Sequence, residues 1–242
     1  MHEMNENAFS PQPRGGFVTG TGTDVGKTYV TALLVKRLRE QGIDAGYFKA
    51  ALSGAEPADD GSGRLIPGDA AEVYRTAGIP GDPAEFVPYI YREALSPHLA
   101  ARLEGRPVEL AVVEAAFRRA AARFPFVAAE GSGGIVCPLR DGDALLMLAD
   151  VIRLTGFPLL IVAPSGLGSI NAAVLTAEYA RANGFRTVGF FLNGFRPGDT
   201  MHEDNRRMIE RLTGLPVLAC VEEGARTLPL DPAVLLSPAA TV

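Results

Sequence analysis

The sequence predicts an α/β fold, a mostly parallel sheet with helices on both faces. Three observations carry the prediction. Apolar runs of strand length alternate with stretches of helical periodicity along the whole chain, the pattern of repeated βα crossovers. The first such run leads through a Gly/Thr-rich loop straight into a helix: residues 17–30 read FVTGTGTDVGKTYV. And 242 residues, 47% hydrophobic and 21% charged, suffice for one large domain with a sizeable buried core.

Each element has its own signal. Residues 16–20 (GFVTG) are apolar and β-branched, a strand. Over 26–41, Val30, Leu33, Leu34 and Leu38 fall at helical spacing, and Gly42 suits the C-terminal cap. Residues 45–50 (AGYFKA) read as a second strand. The stretch 51–69, rich in Gly, Pro and Asp, reads as a long functional loop or a flexible insert. Residues 69–78 form a helix with Asp69 near its start. In 96–105, Ser96 is placed as N-cap, Pro97 at the first helical position and Gly105 at the close. Residues 108–124 make a strongly amphipathic helix, and 124–131 (FPFVAAEG) a strand running into the turn GSGG. A helix is expected around 143–155, then the most apolar strand, 158–164 (PLLIVAP). A helix over 168–184, a strand over 187–194, a helix over 198–214 and a strand over 216–221 complete the order. Residues 1–16 are polar with Pro and Gly and lack an apolar segment, so they are expected to be a disordered leader rather than a signal peptide. Residues 17–242 then form a single domain.

Composition excludes several classes. A formal net charge of −5 argues against a nucleic-acid surface, which needs a basic face. No apolar run approaches the length that spans a membrane. Cys137 and Cys220 stand far apart without metal-ligand spacing, which excludes a zinc framework and fits a reducing cytoplasm.

Right-handed crossovers place the C-terminal ends of parallel strands along one edge, where open α/β sheets bind ligands. The residues at those ends are Thr19-Gly20, Lys49, Glu130-Gly131, Ala163-Pro164 and Asn193-Gly194. The first of them opens a loop that resembles the phosphate-binding pattern G-x-x-x-x-G-K-[ST] but fails its count. Thr21 stands where the first glycine belongs, and Gly20 lies one residue too far from Gly26-Lys27-Thr28. The strand–loop–helix context and the intact G-K-T still favour a phosphate cradle over a βα turn that binds nothing. Glycines let backbone N–H groups curl around phosphate oxygens, Lys27 would neutralise the β- and γ-phosphates, and the Thr28 hydroxyl would ligate Mg²⁺.

The other strand ends fit the same chemistry. Glu130 ends an apolar strand, where an unpaired buried carboxylate is expensive and a divalent cation would satisfy it. Asp69 is the natural second carboxylate, with an ordinary helix N-cap as the equal alternative. Lys49 either points into the crevice to stabilise a transferring phosphoryl group or is a surface lysine at a strand edge. The chain has three lysines (Lys27, Lys36, Lys49) against twenty arginines, so a lysine kept at a strand end suggests a need for a compact ammonium. Ser53 lies just beyond Lys49. Residues 166–171 (GLGSIN) look like a second anion-receiving helix start, and Asn193 would read a base edge or cap a turn. Together these residues predict an enzyme that uses ATP and Mg²⁺ on a small anionic substrate.

The motifs, taken in order, resemble the dethiobiotin synthetase family. GTGTDVGKT (20–28) matches its widened loop G-T-x-T-x-V-G-K-T, and FKAALSG (48–54) is similar to its Y-K-P-V-x-S-G. GDAAEV (68–73), SPHLAARLEG (96–105), AEGSGGIVCPL (129–139) and GLGSINAAVLTAE (166–178) match its later segments. Ala50 replaces the proline after the lysine, Ala172 a frequent histidine, and CVEEG (220–224) lacks the I-P or L-P found after the last strand. The resemblance implies a single-domain P-loop NTPase-like fold and a cytoplasmic homodimer whose sites lie at the subunit interface. It also implies closure of a cyclic urea on 7,8-diaminononanoate with CO₂ or bicarbonate, driven by ATP.

Carried over by position, Lys27 and Lys49 are catalytic. Gly22, Thr23, Asp24, Val25, Gly26, Lys27, Thr28 and Tyr29 hold the nucleotide together with Glu130 and Asn193. Thr28, Asp69 and Glu130 hold Mg²⁺. Thr23, Lys49 and Ser53 meet the substrate, and Gly168, Ser169, Ile170 and Asn171 of the partner receive its carboxylate. Two rival readings are an amidoligase of the cobyrinate diamide synthase type and a nucleotide switch of the chromosome-partitioning type. The first appends a glutaminase domain with a nucleophilic Cys and a His, whereas this chain ends at 242 with His202 its last histidine. The second carries an extra lysine early in its loop, and no lysine precedes Lys27.

Overall fold

The computed structural model of the chain describes residues 14–236. In chain order the elements are β1 (Arg14–Gly20), α1 (Lys27–Glu40), β2 (Ala45–Lys49), β3 (Ala51–Leu52), β4 (Glu56–Pro57), β5 (Leu65–Ile66) and α2 (Gly68–Ala77). Next come β6 (Tyr89–Ile90), α3 (Pro97–Leu103), α4 (Leu110–Arg123), β7 (Phe126–Glu130), β8 (Pro138–Arg140), β9 (Leu146–Met147) and α5 (Leu148–Thr155). The last are β10 (Leu159–Pro164), α6 (Ser169–Ala182), β11 (Thr187–Asn193), α7 (Thr200–Thr213), β12 (Val217–Val221) and α8 (Ala233–Leu236).

Six strands form the central sheet in the order β12-β11-β10-β1-β7-β2, and every neighbouring pair is parallel. From β1 the chain crosses to β2 at one edge and returns through β7. It then builds β10, β11 and β12 on the other side of β1. The direction of winding therefore reverses at β1, which opens a crevice beyond its C-terminal end.

Register separates the two faces of the sheet. Phe17, Ala129 and Phe48 are mutual partners, as are Val18 with Glu130 and Glu130 with Lys49. On the first face, Phe117 of α4 meets Phe48 edge-on at 5.5 Å and Phe157 at 5.3 Å between ring centroids. Farther along that face, Ile161 and Ala163 of β10 and Phe190 and Leu192 of β11 pack with Ala173 and Ala177 of α6 and Ile209 of α7. The second face carries Lys49 and Glu130 and is covered by α1 and α2, which pack on each other. No helix among the described residues is long and apolar enough to cross a membrane.

Several boundaries differ from the sequence-based expectation. The first strand starts at Arg14, not Gly16, and pairs with β7 from there. Gly15 reads as a breaker in sequence, but a Cβ there would come within 2.3 Å of the Phe157 ring, so close packing requires glycine. Residues 1–13 of the expected leader lie outside the described residues. The stretch 51–69 is more ordered than a long loop: β3 pairs with β6, and β4 with β5 in an antiparallel hairpin. The helix expected over 143–155 is only α5, because Leu146–Met147 turns back to pair antiparallel with β8. The Asp141-Gly142 dipeptide between the two short strands is the turn signal that periodicity overrode.

Candidate active site

Lys49 and Glu130 end adjacent parallel strands and are register partners, so both side chains emerge on the face under α1 and α2. Both are almost wholly buried, at 3% and 2% exposure. Isolated charges at that depth would cost several kcal/mol each, and the structure pairs them. The Lys49 ammonium donates to Glu130 Oε1 at 2.8 Å and also to Asp69 Oδ2. Thr28 Oγ1 donates to the same Glu130 Oε1, again at 2.8 Å. Burial alone would lower the Lys49 pKa, but the Glu130 and Asp69 charges outweigh it and hold Lys49 above the ordinary lysine value. Asp69 lies within the first turn of α2, one residue past the helix start, and its side chain turns to Lys49 rather than capping. Asp69 is therefore not an ordinary N-cap.

Lys27 is the second buried cation, and it donates to the carbonyl of Gly22 at 2.9 Å. Burial, and then repulsion from Lys49, push its pKa below the ordinary value, while Glu130, Asp69 and Asp24 pull the other way. The loop carrying it has a shape few sequences reach. Asp24 adopts φ 58° and Gly26 φ 89°, both left-handed. A Cβ on Gly26 would sit 2.1 Å from Asn193 Nδ2, so only glycine allows β11 this close to the loop. Asn193 uses the approach to donate through Nδ2 to the Val25 carbonyl at 3.2 Å. Gly26 also starts α1 with no side-chain cap and no acidic residue in the first turn. Such a helix start presents N–H groups and partial positive charge to an anion.

A cleft of about 450 Å³ collects these groups. Of the expected residues, Thr23, Asp24, Gly26, Lys27, Thr28, Tyr29, Lys49, Ser53, Asp69 and Glu130 line it. Gly22 and Val25 belong to the loop backbone behind it, contributing the carbonyls that anchor Lys27 and Asn193. Leu52, Ser132 and Gly133 line the cleft without having been singled out. Ser132 sits in the GSGG turn after β7, the signal that could have found it, and its hydroxyl donates to the Ala51 carbonyl at 2.6 Å. Tyr29 donates its hydroxyl to the Ala225 carbonyl, so the segment after β12 is fastened over the start of α1.

Gly168, Ser169, Ile170 and Asn171 lie at the start of α6 and do not line this cleft. Gly168 has φ 88°, and the helix has neither a side-chain cap nor an acidic first turn. The loop before it is held from α7. Asn205 Nδ2 donates to the carbonyls of Ser165 and Gly166, both at 2.9 Å, and the Ser165 hydroxyl meets His202 Nδ1 at 2.9 Å.

The donor set fits a hard divalent cation. Thr28, Asp69 and Glu130 present oxygens only, two of the three groups being carboxylates. Among the described residues no group of three or more His, Cys, Asp or Glu could hold a metal ion. Two carboxylates and a hydroxyl suit Mg²⁺, which completes its shell with phosphate oxygens and water.

Known proteins resemble this chain in sequence and in fold. Residues 14–227 match a protein family described as an AAA domain. The chain is 44% identical over 207 residues to an ATP-dependent dethiobiotin synthetase of Clostridium botulinum (strain Eklund 17B / Type B), covering 86% of this chain and 90% of that protein. It is 42% identical over 209 residues to the synthetase of Brachyspira hyodysenteriae, covering 86% and 91%. Among solved structures it is similar to the signal recognition particle receptor FtsY of Elizabethkingia anophelis, with TM-score 0.55, 14% identity, and coverage of 96% of this chain and 66% of that one. It is also similar to the septum site-determining protein MinD of Pyrococcus horikoshii, with TM-score 0.50, 17% identity, and coverage of 86% and 82%. At such identities the structural likeness concerns the fold alone, a single P-loop NTPase-like α/β domain. Sequence identity of 42–44% over most of both chains carries further, and by it the chain belongs to the ATP-dependent dethiobiotin synthetase family.

Proposed function

We infer that this chain is the ATP- and Mg²⁺-dependent ligase that closes the cyclic urea of dethiobiotin on 7,8-diaminononanoate. One observation carries the reading at the level of the site. Lys27, Thr28, Lys49, Asp69 and Glu130 converge in one cleft at the ends of adjacent strands, in a chain of this family. In the reaction an amine of the substrate captures CO₂ as a carbamate, and the γ-phosphoryl group of ATP passes to the carbamate oxygen. The second amine then attacks the carbamic–phosphoric anhydride, and phosphate leaves as the ring closes.

The loop from Gly22 to Tyr29 holds the phosphates through its backbone N–H groups, with Lys27 exchanging the Gly22 carbonyl for phosphate oxygens. Thr28, Asp69 and Glu130 hold Mg²⁺, which when bound screens the charge on the transferring phosphoryl group. Lys49 is catalytic on the substrate side of the cleft. Two carboxylates keep its ammonium protonated and oriented, ready to stabilise charge on the carbamate and the phosphoryl group. Thr23 and Ser53 border the same space. Asn193 commits its amide nitrogen to Val25 and keeps its oxygen for the exocyclic amino group of adenine.

The enzyme works as a homodimer in this reading. The uncapped start of α6, Gly168 to Asn171, receives the substrate carboxylate at the partner's cleft, and its position outside the chain's own cleft supports that assignment. The setting is the cytoplasm, which both free cysteines suit. Phosphate release from ATP should require diaminononanoate and bicarbonate together. Release at an equal rate when either is omitted would overturn the reading in favour of a switch ATPase.

A further inference from the structure

Beneath the site lies a side chain the reaction has not yet used. Tyr47 stands two residues before Lys49 on β2 and pairs in register with Ala128, two residues before Glu130. Side chains alternate along a strand, so Tyr47 shares the face of Lys49 and Glu130, one layer deeper. It is wholly buried, at 0% exposure. Two polar atoms of this layer have no hydrogen-bond partner, the Tyr47 hydroxyl and Glu130 Oε2. The other carboxylate oxygen, Oε1, already accepts from both Thr28 and Lys49.

A buried hydroxyl and a buried carboxylate oxygen each cost free energy when left unpaired. Here a donor without an acceptor and an acceptor without a donor share one face, two register positions apart on adjacent strands. A tyrosine hydroxyl holds its proton at neutral pH and is therefore available as a donor. If the position were only core, phenylalanine would fill the same space without the unpaired oxygen.

We propose that Tyr47 is a positioning residue whose hydroxyl donates to Glu130 Oε2 and fixes the rotation of that carboxylate in the active cleft. With Oε2 tethered from below, Oε1 stays aimed at Thr28 and at the cation position above it. The proposal rests on the reading of Glu130 as a Mg²⁺ ligand, and it adds the group that orients this ligand. Supports of metal ligands typically change metal affinity by tenfold or more when removed.

The test uses the full chain and two substitutions, Tyr47→Phe and Glu130→Gln, alone and combined. Calorimetric ATP binding is measured across a Mg²⁺ titration and again in EDTA, alongside the thermal midpoint without nucleotide. Tyr47→Phe should raise the half-saturating Mg²⁺ concentration roughly tenfold, leave metal-free ATP affinity unchanged, and lower the thermal midpoint, because Glu130 Oε2 loses its donor. In the Glu130→Gln background it should add no further shift. An unchanged Mg²⁺ requirement in Tyr47→Phe, beside a raised one in Glu130→Gln, would overturn the role of Tyr47. So would a fallen thermal midpoint with no change in Mg²⁺ requirement. A Glu130→Gln protein with normal Mg²⁺ dependence would instead overturn the metal-ligand reading itself.

Discussion

Lys49 does two jobs that a substitution can separate. In the nucleotide-free protein it neutralises Glu130 and Asp69, and in the proposed reaction it faces the carbamate. Lys49→Gln should therefore lose about 10²- to 10³-fold in turnover, the usual cost of one transition-state donor, while nucleotide binding persists. The same change leaves Glu130 buried with Thr28 as its remaining partner. Breaking a buried pair costs about 3–5 kcal/mol, and the Lys49–Glu130 pair is buried on both sides, so thermal melting would show it. Lys27→Gln should lose nucleotide binding as well as turnover, because Lys27 sits in the phosphate loop itself. Calorimetry and steady-state rates on the pair check both statements; a Lys49→Gln enzyme as active as wild type would refute the assignment. Residues of this kind were legible in the sequence because a charge that ends an apolar run must find a partner. Tyr47 was not, since a tyrosine in a buried strand reads as core and its hydroxyl acquires meaning only from Glu130, far along the chain.

The phosphate loop, as an element, depends on an approach that no local pattern reveals. Gly26 combines φ 89° with Asn193 so near that a Cβ would lie 2.1 Å from its amide. Gly26→Ala should cost about 1–2 kcal/mol for the left-handed backbone alone. It should also push Asn193 off the Val25 carbonyl, loosening the loop. We expect a fall in ATP affinity larger than the fall in melting temperature would suggest, read by titration of a fluorescent ATP analogue. The glycine was visible in sequence, but its reason lies on β11. The missed elements follow the same rule. β9 was absorbed into the expected helix and β8 went unread because these strands are two and three residues long, too short for a period. The early start of β1 was hidden because Gly15 is explained by Phe157, which joins it only when the sheet forms. Long elements such as α1, β10 and α7 carry enough periodicity to be read directly, and their ends moved by only a residue or two.

Across the whole molecule, strand order brings these parts together. Alternation along the chain predicted a parallel sheet with ligands at one edge, and β1 occupies the reversal point where that edge opens. Positions far apart in sequence, from Thr28 to Glu130, become neighbours because β1, β7 and β2 are adjacent. Sequence placed Lys49 and Glu130 at strand ends but could not supply the strand order. The bridge made by Lys49 has a further meaning at this scale. Lys27 and Lys49 face Asp69 and Glu130 in the resting cleft, and Asp24 adds a third carboxylate to its lining. A bare cation arriving there would meet carboxylates already occupied by an ammonium. One arriving on the triphosphate brings negative charge of its own, for which both lysines are waiting. Metal and nucleotide should therefore enter as one species. Mg²⁺ alone, titrated into the nucleotide-free protein, should give no saturable heat at concentrations that support full turnover. Binding of the free ion at those concentrations would show that the lysine gives way without help from the nucleotide. On the proposed assignment of Mg²⁺ to these carboxylates, the resting enzyme keeps the site closed with its own side chain, and the incoming substrate carries the exchange ion that opens it.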